Sequence, residues 1–286
     1  MNGIKGCVMY KRVVIKLSGE ALAGMDQTQE YVGGFIDETQ QMVEDGFDID
    51  DTYKRAKAKE LDKAKLRLRF DDSIIGGIIS QIKKIMDEGV EVAVVVGGGN
   101  FWRGRDSKED IDKVRSDQIG MMATVMNAVY LTDMFEKAGI DSIILTPVII
   151  GTVTQQFSKK AALKYMSEKN VVIFAAGTGH PFFSTDTIAA IRTAELEADA
   201  LLFAKNVDGV YDSDPNQNHK AVKLRNITYR EVIKNNLTVI DTAASAICEE
   251  QKIFSIIFKL DEPDAIMKCV SADDEEIHKI GTTVTA

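Results

Sequence analysis

The sequence predicts an α/β fold in which a mostly parallel central sheet is covered by helices on both faces, a three-layer sandwich. Three observations carry this. Short continuous apolar runs recur along the 286 residues. Between them lie longer stretches whose apolar residues repeat at three and four. Several of the runs end in glycine-rich turns. Runs without polar alternation read as strands buried on both faces. Their alternation with helical patterns points to βαβ units and a parallel sheet.

Taken in order, Val13–Leu17 is the first strand, broken by the turn Ser18-Gly19. Met25–Arg69 then interrupts the alternation. Its part up to Tyr53 holds nine acidic residues and no lysine or arginine. Lys54–Arg69 holds eight basic residues against Glu60 and Asp62, and its Ala, Lys, Leu and Arg content predicts a helix. The segment reads as a charged insertion at 25–69 in a single domain spanning 1–286. It is either a solvated pair of mutually neutralising halves, the preferred reading, or a lid or effector-binding arm beside the anion site. Helix Ile74–Met86 and strand Val92–Val96 follow, then helix Gln118–Ala138, in which Met121, Met122 and Met126 read as packing residues. Strand Ile143–Leu145, helix Ser158–Glu168, strand Val171–Ala175, helix Thr185–Ala198, strand Leu201–Ala204, helix Thr242–Gln251 and strand Ser255–Phe258 complete the pattern. In open sheets of this kind ligands sit beyond the carboxyl ends of the strands. The turns after Leu17, Val96 and Ala175 all lie at that edge.

Composition narrows the function. At 45% hydrophobic and 28% charged residues the chain can bury a large core. A formal net charge of −9 disfavours nucleic acid as the main partner. Cys7, Cys248 and Cys269 lack metal-ligand spacing and read as free thiols of a reducing compartment. No apolar run reaches membrane-spanning length and no signal-like segment is seen at the start, so a cytoplasmic location without a membrane partner is expected. The three histidines lie in different segments, and nothing arranges them in a nucleophilic triad.

Lys16 interrupts the first strand. A lysine inside a strand is costly to bury unless something anionic meets it. The turn Ser18-Gly19 offers backbone N–H groups to the same anion. The alternative is an edge-strand lysine whose stem lies on apolar surface while its ammonium reaches water. Gly97-Gly98-Gly99-Asn100 closes the second strand, with Arg103-Gly104 close behind. Three glycines permit close approach of the main chain to a bulky ligand, and arginine supplies a fork suited to phosphate oxygens. No glycine precedes Lys-Ser or Lys-Thr, which excludes a P-loop, and Gly97-x-Gly99 reaches Trp102 where a dinucleotide fingerprint needs its third glycine.

The stretch Gly177-Thr-Gly-His-Pro-Phe-Phe-Ser-Thr-Asp186 opens a helix, so glycines, hydroxyls and a helix N-terminus form a second anion pocket. Phe182 and Phe183 either wall a base or pack in the core, with core expected for at least one. Asp186 either orients Mg²⁺ and the attacking group or caps the helix, and Asp241 presents the same choice. The run from Asn206 through Asp208-Gly209 and Tyr211 to Asp214-Pro215 is an ordinary loop or a seat for adenine and ribose.

Lys16-Leu17-Ser18-Gly19, the glycine triad with Arg103, Asp117 with Gly120–Asn127, Gly177–Asp186, Val207–Tyr211 with Asp214-Pro215, and Ile240–Ala243 together resemble bacterial UMP kinase, of the amino-acid kinase superfamily. The resemblance covers nearly all of the chain except Met25–Arg69. It implies transfer of the ATP γ-phosphoryl to UMP, giving UDP for pyrimidine nucleotide biosynthesis, with Mg²⁺ carried as MgATP and no separate metal site. By carry-over, Lys16, Leu17, Ser18, Gly19, Gly99 and Arg103 serve the ATP phosphates. Asn206, Tyr211 and Asp214 hold the adenosine end. Gly98, Asp117 and the stretch Thr178, Gly179, His180, Pro181, Phe182, Phe183, Ser184 and Thr185 hold UMP. Lys16, Arg103, Asp186 and Asp241 form the catalytic set. A homohexamer built through the helix before the glycine triad is implied as well. His180 stands where asparagine is frequent in the family, and Lys205 where a small or hydroxylated residue is. The insertion replaces a region that holds a GTP-effector loop in some relatives, so GTP activation does not carry over. Two alternatives remain: another small-acid kinase of the same fold, such as acetylglutamate kinase, which Arg103 and Asp117 oppose, and a non-catalytic nucleotide sensor, which would be expected to lack Lys16, Asp186 or Asp241.

Overall fold

Val13, Val14, Ile15 and Leu17 are all fully buried, so the strand they form needs cover on both faces and both edges. The computed structural model places it mid-sheet. The structure describes residues 10–23, 70–102, 111–213, 218, 220–260, 262–271 and 274–286. The expected insertion at 25–69, Arg103 and Asp214 lie outside the described residues. Among the described residues nine strands, β1 (Arg12–Leu17), β2 (Glu91–Val96), β3 (Ser142–Thr146), β4 (Gln155–Gln156), β5 (Val171–Phe174), β6 (Ala200–Lys205), β7 (Asn226–Thr228), β8 (Ser255–Lys259) and β9 (Gly281–Thr285), form one sheet in the order β4-β3-β5-β2-β1-β6-β8-β9-β7. All pairings are parallel except β8 with β9.

Among the described residues there are eight α-helices: α1 (Asp72–Asp87), α2 (Lys113–Lys137), α3 (Lys159–Ser167), α4 (Thr185–Glu195), α5 (Tyr229–Lys234), α6 (Thr242–Glu250), α7 (Ala265–Ser271) and α8 (Asp274–Ile280). Alternate residues of β1 serve opposite layers. Val13, Ile15 and Leu17 pack with α1, α2, α7 and α8, whereas Val14 packs with α3, α4, α5 and α6. Lys16 shares the face of Val14, which turns its side chain toward α4. The helices follow their sequences. In α1, Ile75, Ile78, Ile79, Ile82 and Ile85 make the buried stripe, and Asp71 caps it by accepting the N–H groups of Ser73 and Ile74.

The expected mostly parallel sheet with helices on both faces is the fold observed. The C-terminal elements were not read from the sequence, although Thr228-x-x-Glu231 is a capping box that opens α5. The methionine expectation is corrected in part. Met121 packs against the core, but Met122 and Met126 are exposed, in one outward stripe of α2 with Ile119 and Val129. Their spacing keeps them on a single face, opposite Val125, Ala128 and Leu131, which do pack inward. No described helix is long and apolar enough to cross a membrane.

Candidate functional site

The parallel register sets the carboxyl ends of four strands level. Leu17 stands beside Val96 and Ala204, and Val95 beside Phe174. The turns that follow are therefore neighbours. Gly19 packs directly on the triad: a Cβ there would lie 2.5 Å from the Gly99 nitrogen and 2.8 Å from the Gly97 oxygen. A Cβ at Gly98 would meet the Gly120 oxygen at 2.8 Å and the Ala123 Cβ at 2.9 Å. Glycine is required at both places because backbone meets backbone without room for a side chain. A buried amide pair fixes the triad from the side. Asn100 and Asn127 exchange hydrogen bonds of 2.9 and 2.7 Å, and Asn127 also donates to the Gly97 carbonyl at 2.6 Å.

Lys16 is 7% exposed in a central strand. The edge-strand reading of this lysine is thereby excluded, because β2 and β6 flank β1 on both sides. Its ammonium lies 3.0 Å from Asp186 Oδ1, and Lys205 Nζ lies 2.6 Å from Asp186 Oδ2. Burial alone would raise the Asp186 carboxyl, but the charges of Lys16 and Lys205 outweigh it and hold the group at about 2. Burial lowers the Lys205 ammonium, with Asp186 opposing. Asp186 does not cap α4. Ser184 does, accepting the Asp186 N–H at 3.0 Å, so the carboxylate is left to face the lysines.

Asp241 is a helix cap that also accepts hydrogen bonds from the neighbouring helix. Its Oδ1 caps α6 by accepting the Ala244 N–H at 2.8 Å, while Ser184 and Thr187 of the α4 end donate hydroxyls to it. The N-termini of α4 and α6 thus meet at one acidic pair, Asp186 and Asp241. Helix N-termini favour negative charge there.

The loop after β5 is held in unusual backbone. Ala176 has φ 59° and Phe182 φ 73°, both left-handed without glycine. The Ala176 N–H donates to Thr124 Oγ1 at 2.7 Å and the Phe182 N–H to Asp117 Oδ2 at 2.8 Å, so α2 holds the loop at both ends. Strained residues of this kind persist where their surroundings over-determine them, commonly at functional sites. Phe182 and Phe183 are 64% and 52% exposed, so neither packs in the core as expected for one of them. The turn at Phe182 throws both rings outward, and Lys113 Nζ lies 5.6 Å from the Phe182 ring. His180 is exposed, and its N–H bonds to Thr178 Oγ1 at 3.2 Å.

Two cavities adjoin the lysines and carboxylates. One of about 270 Å³ is bounded by Gly98, Asp117, Thr124, Thr178, His180 and Phe183, and reaches Ser184 and Thr185. The other, of about 450 Å³, runs from Asp186 and Asp241 along Ile233, Leu237, Thr238 and Ser245. Ser184 lines both. The expected residues Gly98, Asp117, Thr178, His180, Phe183, Ser184 and Thr185 therefore share one cavity. Gly179 and Pro181 stay in its loop without lining it. Asn206 and Tyr211 line neither cavity: Asn206 Nδ2 is 3.5 Å from Glu20 Oε2, and Tyr211 donates to Asp208 at 2.8 Å.

Lys205 was the residue whose place the sequence reading did not resolve. The signal was present, since it ends an apolar run as Lys16 does. Thr124 and Asn127 lie in the Gly120–Asn127 motif, but their partners, like that of Thr187, come from other elements and were not legible.

Among the described residues, no three His, Cys, Asp or Glu side chains converge to hold a metal. Two neighbouring carboxylates suit Mg²⁺, which keeps several waters and needs only one or two protein oxygens. Asp186 Oδ1, with the Lys16 ammonium 3.0 Å away, is a carboxylate oxygen of the hard kind that Mg²⁺ takes.

Residues 11–259 match the model of the amino acid kinase family. Among solved structures, UMP kinase from Bacillus anthracis is 30% identical, with 96% of each chain covered and a TM-score of 0.76. UMP kinase from Ureaplasma parvum is 32% identical, with 96% of this chain and 97% of that one covered and a TM-score of 0.73. Uridylate kinase from Archaeoglobus fulgidus is 27% identical, covering 75% of this chain and 93% of its own, with a TM-score of 0.60. On the family match and the shared fold, the chain belongs to the amino acid kinase family.

Proposed function

We propose that this kinase transfers the γ-phosphoryl group of MgATP to UMP. The observation that carries the reading is the meeting of two cavities at Ser184–Asp186, beside a buried lysine and the glycine triad. Each cavity has a size suited to part of a nucleotide. The smaller, walled by Asp117 and the loop after β5, takes the acceptor. The larger takes the donor nucleoside, so that the phosphates of both extend toward Lys16. The UMP kinases of similar fold and sequence support the choice of acceptor.

The chemistry needs no general base. The attacking group is an oxygen of a phosphate monoester, whose second pKa is about 6, so it is mostly ionised at neutral pH. The obstacle is repulsion: two unit charges 4 Å apart repel by about 4 kcal/mol at an effective dielectric of 20. Lys16, the amides around Gly19 and Gly97–Gly99, and the N-termini of α4 and α6 act against it, with Arg103 assigned to the same task. They are fixed in place before the reaction and aim at charge that spreads over the transferring group. Asp186 holds the Lys16 ammonium at the reaction site. Asp186 and Asp241 are the residues that would hold Mg²⁺ brought in with ATP, and the ion would offset the negative charge of the phosphates.

A coupled assay with UMP, CMP, dCMP and N-acetylglutamate as acceptors tests the reading. UMP is expected to be preferred. Equal use of CMP, or phosphorylation of the amino acid alone, would overturn it. Self-association belongs to the same proposal. The outward stripe of Ile119, Met122, Met126 and Val129, with exposed Val148, Ile149 and Val153, supports pairing of copies through α2, the helix after the triad rather than the one before it. Sedimentation of a Met126→Lys variant as a smaller species than the parent is the expected result.

A further inference from the structure

Lys205 has no part in the transfer derived above, yet it is the most firmly tied member of the charge cluster. It ends β6, and its ammonium donates to Asp186 Oδ2 at 2.6 Å and to the carbonyl of Val239. Its side chain is 16% exposed, so those partners replace most of the water it gives up. Lys16 meets the same carboxylate differently. It lies 3.0 Å from Oδ1, a longer approach than the 2.6 Å between Lys205 and Oδ2.

The difference has a physical consequence. A carboxylate facing one ammonium alone draws it into a charge-assisted hydrogen bond of about 2.8 Å. A lysine so engaged must break that bond before it can turn to a phosphate. Here the negative charge is divided, and Lys205 holds the shorter bond. Lys16 is kept near at 3.0 Å, with only part of the carboxylate's charge drawn to it. The second bond of Lys205 adds a geometric constraint. Val239 lies two residues before Asp241, the cap of α6. One ammonium therefore joins the end of β6, the carboxylate on α4 and the approach to α6.

We propose that Lys205 is a positioning residue: it fixes the Asp186 carboxylate and the Val239–Asp241 segment in one arrangement, so that Lys16 is presented to the transferring phosphoryl group instead of being locked onto Asp186. The inference rests on reading the site as a phosphotransferase centre, but not on which acceptor it uses.

The test compares Lys205→Met, Lys205→Gln, Lys205→Arg and Lys16→Met. For each, kcat and both KM values are measured, together with the Kd of MgATP by equilibrium dialysis without acceptor. Lys205→Met is expected to lower kcat about tenfold or more, with the ATP KM and Kd within about twofold of the parent. Lys205→Arg keeps the charge and a donor for each partner, and is expected to recover activity to within about threefold of the parent. Should the Met variant fail to fold, Arg and Gln carry the test, since Gln keeps a donor without the charge. Unchanged kcat in Lys205→Met would overturn the proposal, as would Gln matching Arg. A tenfold weaker Kd for ATP with kcat retained would overturn it too, by making Lys205 a phosphate ligand. Failure of the UMP assignment shows separately, as absence of UDP from the unsubstituted protein. The variants are then compared on the acceptor the panel identifies, and absence of turnover with every acceptor overturns both readings.

Discussion

Asp186→Asn changes one atom and removes one charge, so it isolates the electrostatics of the cluster. In the parent, Lys16 and Lys205 hold the carboxyl at about 2 against their opponent, burial. An ordinary aspartate titrates near 3.9, so this depression corresponds to on the order of 2 kcal/mol of folding stability. The folded value lies below the unfolded one. The contribution is therefore present above about pH 4 and lost as the pH falls through about 2. The Asn variant loses it everywhere and leaves two buried ammonium groups without their shared counterion. At a separation of ~6 Å and an effective dielectric of 20 they repel by about 3 kcal/mol. Removing one partner of a buried ion pair typically costs about 3–5 kcal/mol, and we expect a loss of that size at pH 7. The gap should narrow toward pH 2, where the parent carboxylate is itself protonated. It should narrow again on the alkaline side. Burial already lowers Lys205, and in the variant Asp186 no longer opposes that. The cost of keeping this lysine charged disappears as the pH rises through its folded value. Urea unfolding followed by circular dichroism at pH 3, 7 and 9.5 measures all three arms. A gap under about 1 kcal/mol at pH 7, or one that grows toward pH 3, would refute the reasoning.

Lys16→Met removes one preorganised cation and is expected to lower kcat about a hundredfold or more in the coupled assay; near-normal kcat would remove Lys16 from the mechanism. Asp117→Asn retains an acceptor for the Phe182 N–H but loses the charge facing the smaller cavity. Its UMP KM should rise about tenfold, the difference between a charged and a neutral hydrogen-bond acceptor, with the ATP KM moving less; the reverse order would refute its place in the acceptor site. Gly19→Ala puts a Cβ 2.5 Å from the Gly99 nitrogen, so β1 and the triad must separate. A loss of about 1–3 kcal/mol in stability, with a fall in kcat/KM, is expected from thermal melts and kinetics, and an unchanged Tm would contradict the close approach. Burial pushes the Cys248 thiol up to about 12 and raises Cys269 as well. Both should stay unlabelled by iodoacetamide at pH 8 in the folded protein and react in urea, as peptide mapping would show; labelling of either in the folded state would place it outside the core.

Much of the fold was legible because it is written in local spacing. The unbroken apolar run Val92–Val96, and Val13–Leu17 with its single Lys16, read as strands of a parallel sheet, and the isoleucines of α1 admit only one buried stripe. What escaped was chiefly structure at the end of the chain. The short strand β9 runs antiparallel to β8 and carries Gly281 against the Ile257 oxygen, a contact no periodicity announces. Phe182 and Phe183 misled for a different reason. Hydrophobicity argues for burial, but the backbone turn at Phe182, anchored on Asp117, decides which way the rings point.

The sequence by itself determined that glycine turns would close buried parallel strands, because strand burial and turn chemistry depend on residues a few places apart, while it left Lys16 between a buried and an edge position. Only the tertiary structure decided which groups those residues would meet. Asp186 falls between Lys16 and Lys205 because strand order sets β1 beside β6 and packs α4 across both, and because Ser184 caps the helix in its place. Such partners are far apart in the chain, and their distance is fixed by strand order and register, which no local pattern encodes.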